Sequence, residues 1–468
     1  MSEPVRSYTV PEEEMERQRG YAAEIGALSD RPRTYHIVTY GCQMNAHDSE
    51  KIAGMLDVMG MREAPVRDEA DLVVFNTCCI RDNAERRALG NVMWLREVRK
   101  KRPDVMIAVC GCMAQRPGMA EKLRKQYGFV NLVFGTANLH RFPELLLRCI
   151  RERKPVSDTD GADVIPEGLP TARLRREAAY ITIMYGCDNF CSYCIVPYVR
   201  GRERSRSAGA ILREAESLAA DGVKEIMLLG QNVNSYGKGL PDGIDFAELL
   251  RRLDGIGIPR IRFMTSHPKD LSDRLIRAMA DCRHVLPQFH LPVQSGNDEI
   301  LKRMNRHYDR AGYLSRVRAL REAVPGIGLS TDIIVAFPGE TEAQFEDTLS
   351  LADEVRYDSA FTFIFSPRAG TKAAAMPDAV APEIAAERIE RLIALQERLQ
   401  QTTLQRLTGT EEEVLVEKVS KRSGSEVSGK GLHGVSVTLP GTTEDIGGII
   451  RCRITGLKQN TLTAERTE

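Results

Sequence analysis

Two stretches of the chain alternate short apolar runs with amphipathic segments of helical length. The first has β-branched and aromatic runs at residues 35–40, 72–77, 105–109 and 132–134. Segments with helical spacing of apolar positions lie between these runs. Alternating strands and helices are typical of a parallel sheet with helices on its faces. We therefore predict an open parallel α/β sheet domain over residues 33–152.

A second alternating series covers residues 175–405. Its apolar runs lie at 181–184, 225–229, 260–264, 288–293, 330–335 and 360–365. Six strand–helix units predict an α/β fold of the (β/α)6 partial-barrel type, in which the loops after the strands carry the site.

The two ends of the chain have different patterns. Residues 1–32 are polar and charged, and we expect a poorly ordered lead-in with at most one helical turn. Residues 382–407 predict a charged connecting helix whose polar face is solvated. Four short alternating runs, separated by Gly, Ser, Lys and Asn, then predict a small antiparallel β-barrel over residues 406–468.

The length and the charge of the chain indicate how many domains it has and where it could contact RNA. A chain of 468 residues with 42% apolar residues is long enough for about three domains. Lys+Arg and Asp+Glu both number 65, so the net charge is zero and any RNA contact must be local. One local concentration is the alternating run Arg200, Arg202, Arg204 and Arg206. A solvated charge run is the simpler interpretation, but the cysteine-rich loop beside it favours RNA contact.

The cysteine count points to reduced thiols or metal ligands. The chain has 11 cysteines, an odd number, and no apolar leader segment, which disfavours a disulfide framework. No stretch is typical of a secretion signal or a membrane span. We therefore expect a cytoplasmic protein without a membrane partner.

Cys187, Cys191 and Cys194 follow the first strand of the second series at CxxxCxxC spacing. A structural zinc site takes four protein ligands, and the next candidates, His267 and Cys282, are distant in sequence. A 4Fe-4S cluster held by three cysteines leaves one iron open to another ligand. The spacing favours an iron–sulfur cluster, with zinc as the alternative.

Three more cysteines each follow a predicted strand of the first series: Cys42, Cys78 and Cys112. The carboxyl ends of parallel strands share one edge of a sheet, so these thiols can converge on a second metal site. Buried core thiols are the alternative. The neighbouring Cys79 and Cys110 complicate the choice. Cys110 continues its strand, whereas Cys112 follows Gly111 and can turn towards the edge.

Polar residues also follow the later strands of the second series. They are Gly230-Gln231-Asn232, Ser266-His267-Pro268, Gln294-Ser295-Gly296 and Phe337-Pro338-Gly339-Glu340. Turn formation alone would explain each set. Four sets at equivalent strand ends favour one shared pocket.

Long motifs give the chain a family resemblance from about residue 35 to the C-terminus. They are TYGCQMNAHDSEK, NTCCIRDNAE, GCMAQRPG, CDNFCSYCIVPYVRGRERSR, LLGQNVNSYG, HLPVQSGND and TDIIVAFPGET. The chain resembles the methylthiotransferase family of the radical S-adenosylmethionine superfamily, and is most similar to the branch that acts on dimethylallyl-adenosine in bacterial tRNA. The C-terminal part resembles the RNA-binding TRAM domain.

The resemblance implies two 4Fe-4S clusters and S-adenosylmethionine as cofactors. One cluster is expected on Cys187, Cys191 and Cys194, with its open iron chelating S-adenosylmethionine. The auxiliary cluster is expected on Cys42, Cys78 and Cys112, with Cys79 and Cys110 as bystanders. The pocket for S-adenosylmethionine is expected at Tyr193, Gly230, Gln231, Asn232, Gln294 and Ser295. Lys430 stands where the family usually shows the arginine of a Gly-Arg-Thr step, and it joins the arginine run as an expected RNA contact.

The implied reaction is methylthiolation of carbon 2 of N(6)-dimethylallyladenosine next to the anticodon. A 5′-deoxyadenosyl radical would remove the hydrogen, the auxiliary cluster would supply sulfur, and a second S-adenosylmethionine would supply the methyl group. No general base is assigned. The alternative targets are threonylcarbamoyl-adenosine in tRNA or an aspartate of a ribosomal protein, and the alternative class is a non-enzymatic iron–sulfur or zinc RNA-binding protein. Expected partners are the tRNA anticodon stem-loop, whose bases must be splayed from the stack, a flavodoxin- or ferredoxin-type electron donor, and a sulfur or cluster delivery protein.

Overall fold

A computed structural model describes residues 8–79, 82–161, 163–420 and 424–467. Its N-terminal unit contains six parallel strands: β1 (Thr34–Thr39), β2 (Arg62–Glu63), β3 (Leu72–Asn76), β4 (Met106–Cys110), β5 (Leu132–Phe134) and β6 (Val156–Asp158). They form one sheet in the order β2-β1-β3-β4-β5-β6. Every residue of β3 is buried, as expected for an apolar central strand covered on both faces. The predicted open parallel sheet is confirmed, and β6 extends it beyond residue 152.

The helices of this unit are α1 (Glu12–Ala27), α2 (Gln43–Val58), α3 (Asp82–Lys101), α4 (Cys112–Gln115), α5 (Met119–Gln126) and α6 (Phe142–Glu152). Helix α1 corrects the expected poorly ordered lead-in, apart from residues 1–7, which lie outside the described residues. It buries Met15, Gln18, Ala22 and Ile25 and packs against α6. Acidic residues in its first turn favour the helix dipole. The sequence did not predict this helix because its few apolar positions are scattered among many charged residues.

The second unit has eight strands: β7 (Ala178–Thr182), β8 (Met184–Tyr185), β9 (Arg204–Ser205), β10 (Glu225–Leu229), β11 (Arg260–Phe263), β12 (Gln288–His290), β13 (Gly328–Val335) and β14 (Ser359–Ile364). Two parallel sheets, β11-β10-β7 and β12-β13-β14, are joined by a parallel bridge between Ile261 and Val285. Six strands therefore form a partial barrel with β7 and β14 at its edges, which confirms the predicted (β/α)6 fold.

Its helices are α7 (Val196–Arg200), α8 (Ala208–Ala220), α9 (Phe246–Asp254), α10 (Asp273–Asp281), α11 (Asp298–Arg303), α12 (Arg310–Ala323), α13 (Glu342–Val355) and α14 (Pro382–Gln405). Ser, Thr, Asp and Asn side chains cap most of them, which satisfies free backbone N–H groups. Helix α14 is more than the predicted connector. It buries Leu392 and Leu399 and packs against β14 and α13, and its buried Arg388 pairs with Glu340 at 3.0 Å.

The C-terminal unit is a closed barrel of β15 (Glu411–Val419), β16 (Glu426–Lys430), β17 (Ser436–Pro440), β18 (Ile449–Lys458) and β19 (Thr461–Arg466), in the order β15-β16-β17-β19-β18. The predicted small barrel is confirmed. The β17–β19 pair is parallel, which corrects the purely antiparallel expectation. No helix in the described ranges combines the length and the apolar character needed to cross a membrane.

Arg260 joins the two barrels. Its side chain is 2% exposed, and its Nε donates to Glu225 Oε2 at 2.9 Å. Its other nitrogens donate to the backbone carbonyls of Glu413, Lys430 and Gly431, over 2.9 to 3.2 Å. A buried guanidinium thus fixes the C-terminal barrel against the partial barrel.

Candidate metal centres and cofactor site

A two-residue ribbon closes the first cysteine loop. Strands β8 and β9 pair Met184 with Ser205 and Tyr185 with Arg204. The two ends of the loop of residues 186–203 are therefore adjacent. Gly186 has φ 74°, and a Cβ there would lie 2.0 Å from the carbonyl oxygen of Arg202. Only glycine can adopt this backbone conformation so close to the backbone of Arg202.

The loop holds three cysteines near a buried cation. Cys187 and Cys191 are buried, and Arg306 Nη1 donates to Cys191 Sγ at 3.4 Å. The pKa of Cys194 is raised to about 12 and that of Cys187 to about 11, mainly by burial, and the nearby Cys191 contributes to both shifts. A thiol set beside a fixed positive charge fits a negatively charged iron–sulfur cluster.

The second cysteine set lies at the carboxyl edge of the N-terminal sheet, as predicted. Cys42 precedes α2, Cys78 follows β3, and Cys112 begins α4. Gly111 has φ 92°, and a Cβ there would lie 2.4 Å from Asn76 Oδ1. This glycine permits the sharp turn that takes the chain from β4 to Cys112.

Two of these three thiols, Cys78 and Cys112, are buried, and Cys42 is partly exposed. The pKa of Cys112 is raised to about 12, mainly by burial; Cys78 and Cys42 contribute to the rise, and Arg200 opposes it. Arg200 Nε donates to Cys112 Sγ at 3.2 Å, and its Nη2 pairs with Asp48 at 2.8 Å. These residues fit a second cluster. Across the described ranges, no three His, Cys, Asp or Glu side chains are arranged to hold a single metal ion.

The two neighbouring cysteines pack into the core. Cys110 is the last residue of β4 and lies in an apolar cluster with Leu72 and Phe134. Cys79 is buried among apolar residues that include Phe75 and Val109. Burial raises the pKa of both thiols. Their bystander role stays a prediction, and these surroundings are compatible with it.

The six residues predicted for S-adenosylmethionine are Tyr193, Gly230, Gln231, Asn232, Gln294 and Ser295. Gln231 Oε1 accepts from Gly186 N at 2.5 Å, which ties the loop after β10 to the first cysteine loop. The Tyr193 hydroxyl accepts from Arg306 at 3.4 Å. Gln294, at φ 69°, bridges to β13. Ser295 is fully buried, and its hydroxyl lies 3.4 Å from Thr348 Oγ1, so it anchors the loop against α13.

Several buried polar atoms beside this loop have no hydrogen-bond partner within the described part of the chain. They are Asn232 Oδ1, Asn234 Oδ1 and His267 Nε2, in the segments that follow β10 and β11. Unpaired buried polar atoms are costly unless a ligand satisfies them. They fit a polar cofactor, and only Asn232 was among the predicted residues. Asn234 was missed, whereas His267 was expected in the shared pocket as part of the set Ser266-His267-Pro268, and was also weighed as a metal ligand.

The arginine run differs from its prediction. Arg202 is exposed, with 63% of its side chain accessible, but the other three are buried. Their ion pairs are Arg200–Asp48, Arg204–Asp163, and Arg206 with Glu167 and Glu214. The expectation that all four face RNA is therefore wrong for Arg200, Arg204 and Arg206. These three side chains are buried and form ion pairs with carboxylates from other segments of the chain. Lys430 is half-buried, and its Nζ donates to Ser436 Oγ at 2.8 Å.

Known families match three parts of the chain. The Radical SAM superfamily matches residues 181–352, the Uncharacterized protein family UPF0004 matches 34–135, and the TRAM domain matches 405–466. A tRNA-2-methylthio-N(6)-dimethylallyladenosine synthase from Caldicellulosiruptor saccharolyticus is 53% identical over 413 residues, 88% of this chain and 87% of that protein. One from Alkaliphilus oremlandii is 48% identical over 459 residues, 97% and 98% of the two chains. The chain belongs to this synthase family.

Membership in the synthase family confirms a radical S-adenosylmethionine enzyme with 4Fe-4S chemistry, and it argues against the non-enzymatic RNA-binding alternative. A solved radical S-adenosylmethionine methyltransferase from Kitasatospora setae, with cobalamin and a 4Fe-4S cluster bound, aligns with a TM-score of 0.53 at 17% identity. The alignment covers 73% of this chain and 77% of that chain. This likeness supports the fold of the present chain and says nothing about its substrate.

Proposed function

We propose that this enzyme replaces the hydrogen on carbon 2 of N(6)-dimethylallyladenosine, next to the anticodon of tRNA, with a methylthio group. One observation carries the proposal: curated relatives at 48–53% identity over 88–97% of the chain are named as synthases of this nucleoside. Their names favour this target over threonylcarbamoyl-adenosine or a ribosomal-protein aspartate.

The two cysteine sets take different roles in this proposal. Cys187, Cys191 and Cys194 hold the cluster that binds S-adenosylmethionine, and Cys42, Cys78 and Cys112 hold the auxiliary cluster. When bound, these groups supply a 5′-deoxyadenosyl radical and the sulfur atom. Four of the six thiols, those of Cys78, Cys112, Cys187 and Cys191, are buried, which limits the access of water to the reacting groups. Arg306 and Arg200 place one cation at each set.

Residues around the first cysteine loop orient S-adenosylmethionine. Tyr193, Gly230, Gln231, Asn232 and Gln294 border the cofactor, and Ser295 positions its loop. The free Oδ1 of Asn232 is the best-supported polar contact, since it is buried without a partner among the described residues.

The chain divides into three functional domains. Residues 8–158 form the auxiliary-cluster domain, 175–405 the radical S-adenosylmethionine domain, and 406–468 the TRAM domain. Arg202 and Lys430 contact the anticodon stem-loop. A flavodoxin- or ferredoxin-type protein donates electrons, a further protein restores sulfur or the cluster, and the reaction takes place in the cytoplasm.

Anaerobic reconstitution followed by nucleoside mass spectrometry tests this function. Wild-type enzyme, reductant and S-adenosylmethionine should convert dimethylallyl-adenosine in tRNA to its 2-methylthio form. Cys191→Ala should lose both S-adenosylmethionine cleavage and product. Cys42→Ala should retain some cleavage but form no product. Wild-type enzyme that cleaves S-adenosylmethionine without modifying this tRNA would refute the assigned substrate, and equal loss of cleavage in both folded variants would refute the division of roles.

A further inference from the structure

A cavity of about 370 Å³ lies between the partial barrel and the C-terminal barrel. Residues of strands β11 to β14 form one wall, and residues around the β16–β17 turn form the other. Gln43, the residue after Cys42, lines the cavity, and its Nε2 lies 3.6 Å from Met264 Sδ. The cavity therefore extends to the edge of the auxiliary cysteine set.

The lysine, arginine and carboxylate side chains that line the cavity are two cations and one carboxylate. Arg262 and Lys430 line it, and Arg262 shares the single carboxylate of Glu225 with Arg260. Arg262 Nε has no hydrogen-bond partner within the described residues. The Lys430 ammonium donates to a hydroxyl, and no carboxylate of the described chain is within ion-pair distance of it. The lining carboxylate, Asp358, is already paired with Arg406 at 2.9 Å. These cations suit an anionic ligand.

An exposed aromatic ring lies in the same cavity. Phe361 on β14 is 45% exposed, although most large apolar side chains of this unit are buried. His290 packs edge-on to it at 6.0 Å and lies 2.9 Å from Ser330 Oγ through Nδ1. An accessible ring beside polar groups is typical of a surface on which a nucleobase stacks.

We propose that this cavity binds one nucleotide of the substrate RNA, next to the modified adenosine. Arg262 and Lys430 hold its phosphate, and its base stacks on Phe361 with His290 and Ser330 at the edge. This inference rests on the proposed function, because RNA is the anionic aromatic ligand that the reaction brings to the auxiliary cysteine set. It assigns recognition to the junction of the two barrels as well as to the C-terminal barrel.

Binding of a labelled anticodon stem-loop RNA to the full reconstituted protein, measured across a salt series, tests the proposal. Lys430→Ala should reduce the log–log salt slope by about 0.7, since one phosphate contact is lost. Lys430→Arg should restore it. Phe361→Leu keeps apolar bulk without the ring, and it should weaken binding by about tenfold at every salt concentration with an unchanged slope. Lys154→Ala, an exposed lysine of the N-terminal unit, should change neither quantity.

Circular dichroism and Tm are checked for each variant, so that a folding defect is recognised. Unchanged affinity and slope in folded Lys430→Ala and Phe361→Leu would overturn the proposal. AMP binding that depends on Lys430 while RNA binding does not would also overturn it, because the ligand would then be a free nucleotide. Wild-type enzyme that binds the RNA but forms no methylthio product would contradict the proposed function alone.

Discussion

Arg200 Nε donates a hydrogen bond to Cys112 Sγ over 3.2 Å, and both side chains are buried. Arg200 ends α7, within the first cysteine loop, whereas Cys112 belongs to the second cysteine set. Asp48 holds the other end of the guanidinium at 2.8 Å. One arginine thus connects the loop of one proposed cluster to a proposed ligand of the other.

This contact predicts that substitutions of Arg200 and Asp48 shift the reduction potential of the auxiliary cluster in opposite directions. A hydrogen bond and a buried positive charge at a ligand sulfur stabilise the reduced cluster. Arg200→Gln should therefore lower its reduction potential, and Asp48→Asn should raise it by removing a nearby negative charge. A redox titration followed by electron paramagnetic resonance measures this, with Cys187, Cys191 and Cys194 replaced by Ala so that one cluster remains.

Arg202→Gln is the matched control, because Arg202 is exposed and forms its ion pair with Asp188. It should leave the potential unchanged. Shifts of the same sign for Arg200→Gln and Asp48→Asn would contradict an electrostatic role for the pair.

Iron content distinguishes the ligands from their neighbours. Wild-type protein should hold about eight irons, two 4Fe-4S clusters. Cys78→Ser and Cys112→Ser should retain about four. Cys79→Ser and Cys110→Ser should keep about eight with a modest packing loss, since both thiols lie in apolar surroundings. Loss of half the iron in either of the last two variants would reverse the assignment.

Gly186 is expected to control the shape of the first cysteine loop. Gly186→Ala places a Cβ 2.0 Å from the carbonyl oxygen of Arg202, so the ribbon between β8 and β9 must open. Gly222→Ala is the control, because Gly222 also has a positive φ, 79°, but open space around it. The control should cost roughly 1 to 2 kcal/mol from its backbone conformation alone. Gly186→Ala should lower Tm further and reduce iron loading, and equal behaviour of the two variants would show that the crossing is not tight.

Glu203 predicts a pH dependence of stability. The pKa of its carboxyl is raised to about 7, mainly by burial; Lys238 opposes the rise, and Asp188 and Asp270 contribute to it. The folded protein therefore favours the protonated form, and this stabilisation is lost as the pH rises towards 7 and above. Between about pH 5 and about pH 8, Tm should fall more for the wild type than for Glu203→Gln.

The exposed Glu216→Gln serves as control and should follow the wild-type curve. Parallel Tm curves for wild type and Glu203→Gln would show that the carboxyl is not held protonated.

The strands were largely predictable from the sequence, and several side-chain environments were not. The predicted runs at 225–229 and 132–134 coincide with β10 and β5, because buried parallel strands are continuous apolar segments. Strand β16 was missed, because its segment, Glu426–Lys430, contains Ser and Gly and has little strand propensity. The closure of the barrel creates that strand through pairing with β15 and β17.

For the candidate site, the spacing of residues within one loop could be read from the sequence. The ion pairs between residues far apart in the sequence could not. The cysteine triplet at Cys187, Cys191 and Cys194 was visible because its members are close in sequence. The burial of Arg204 and Arg206 depends on Asp163 and Glu167, about forty positions earlier. Nothing in a local charge pattern identifies such partners, so the run resembled a surface stripe.

Arg260 limits how the C-terminal barrel can be exchanged or removed. Deleting that barrel would expose the Arg260 guanidinium to water and remove its three carbonyl acceptors, and hydrogen bonds to a charged group are worth about 1.5 to 3 kcal/mol each. A shortened enzyme would therefore lose activity through damage to the partial barrel. All three acceptors are backbone atoms, so a barrel of different sequence but the same fold would satisfy Arg260 equally well. Chimaeras between relatives should thus tolerate a transplanted C-terminal barrel, whereas truncation should be harmful.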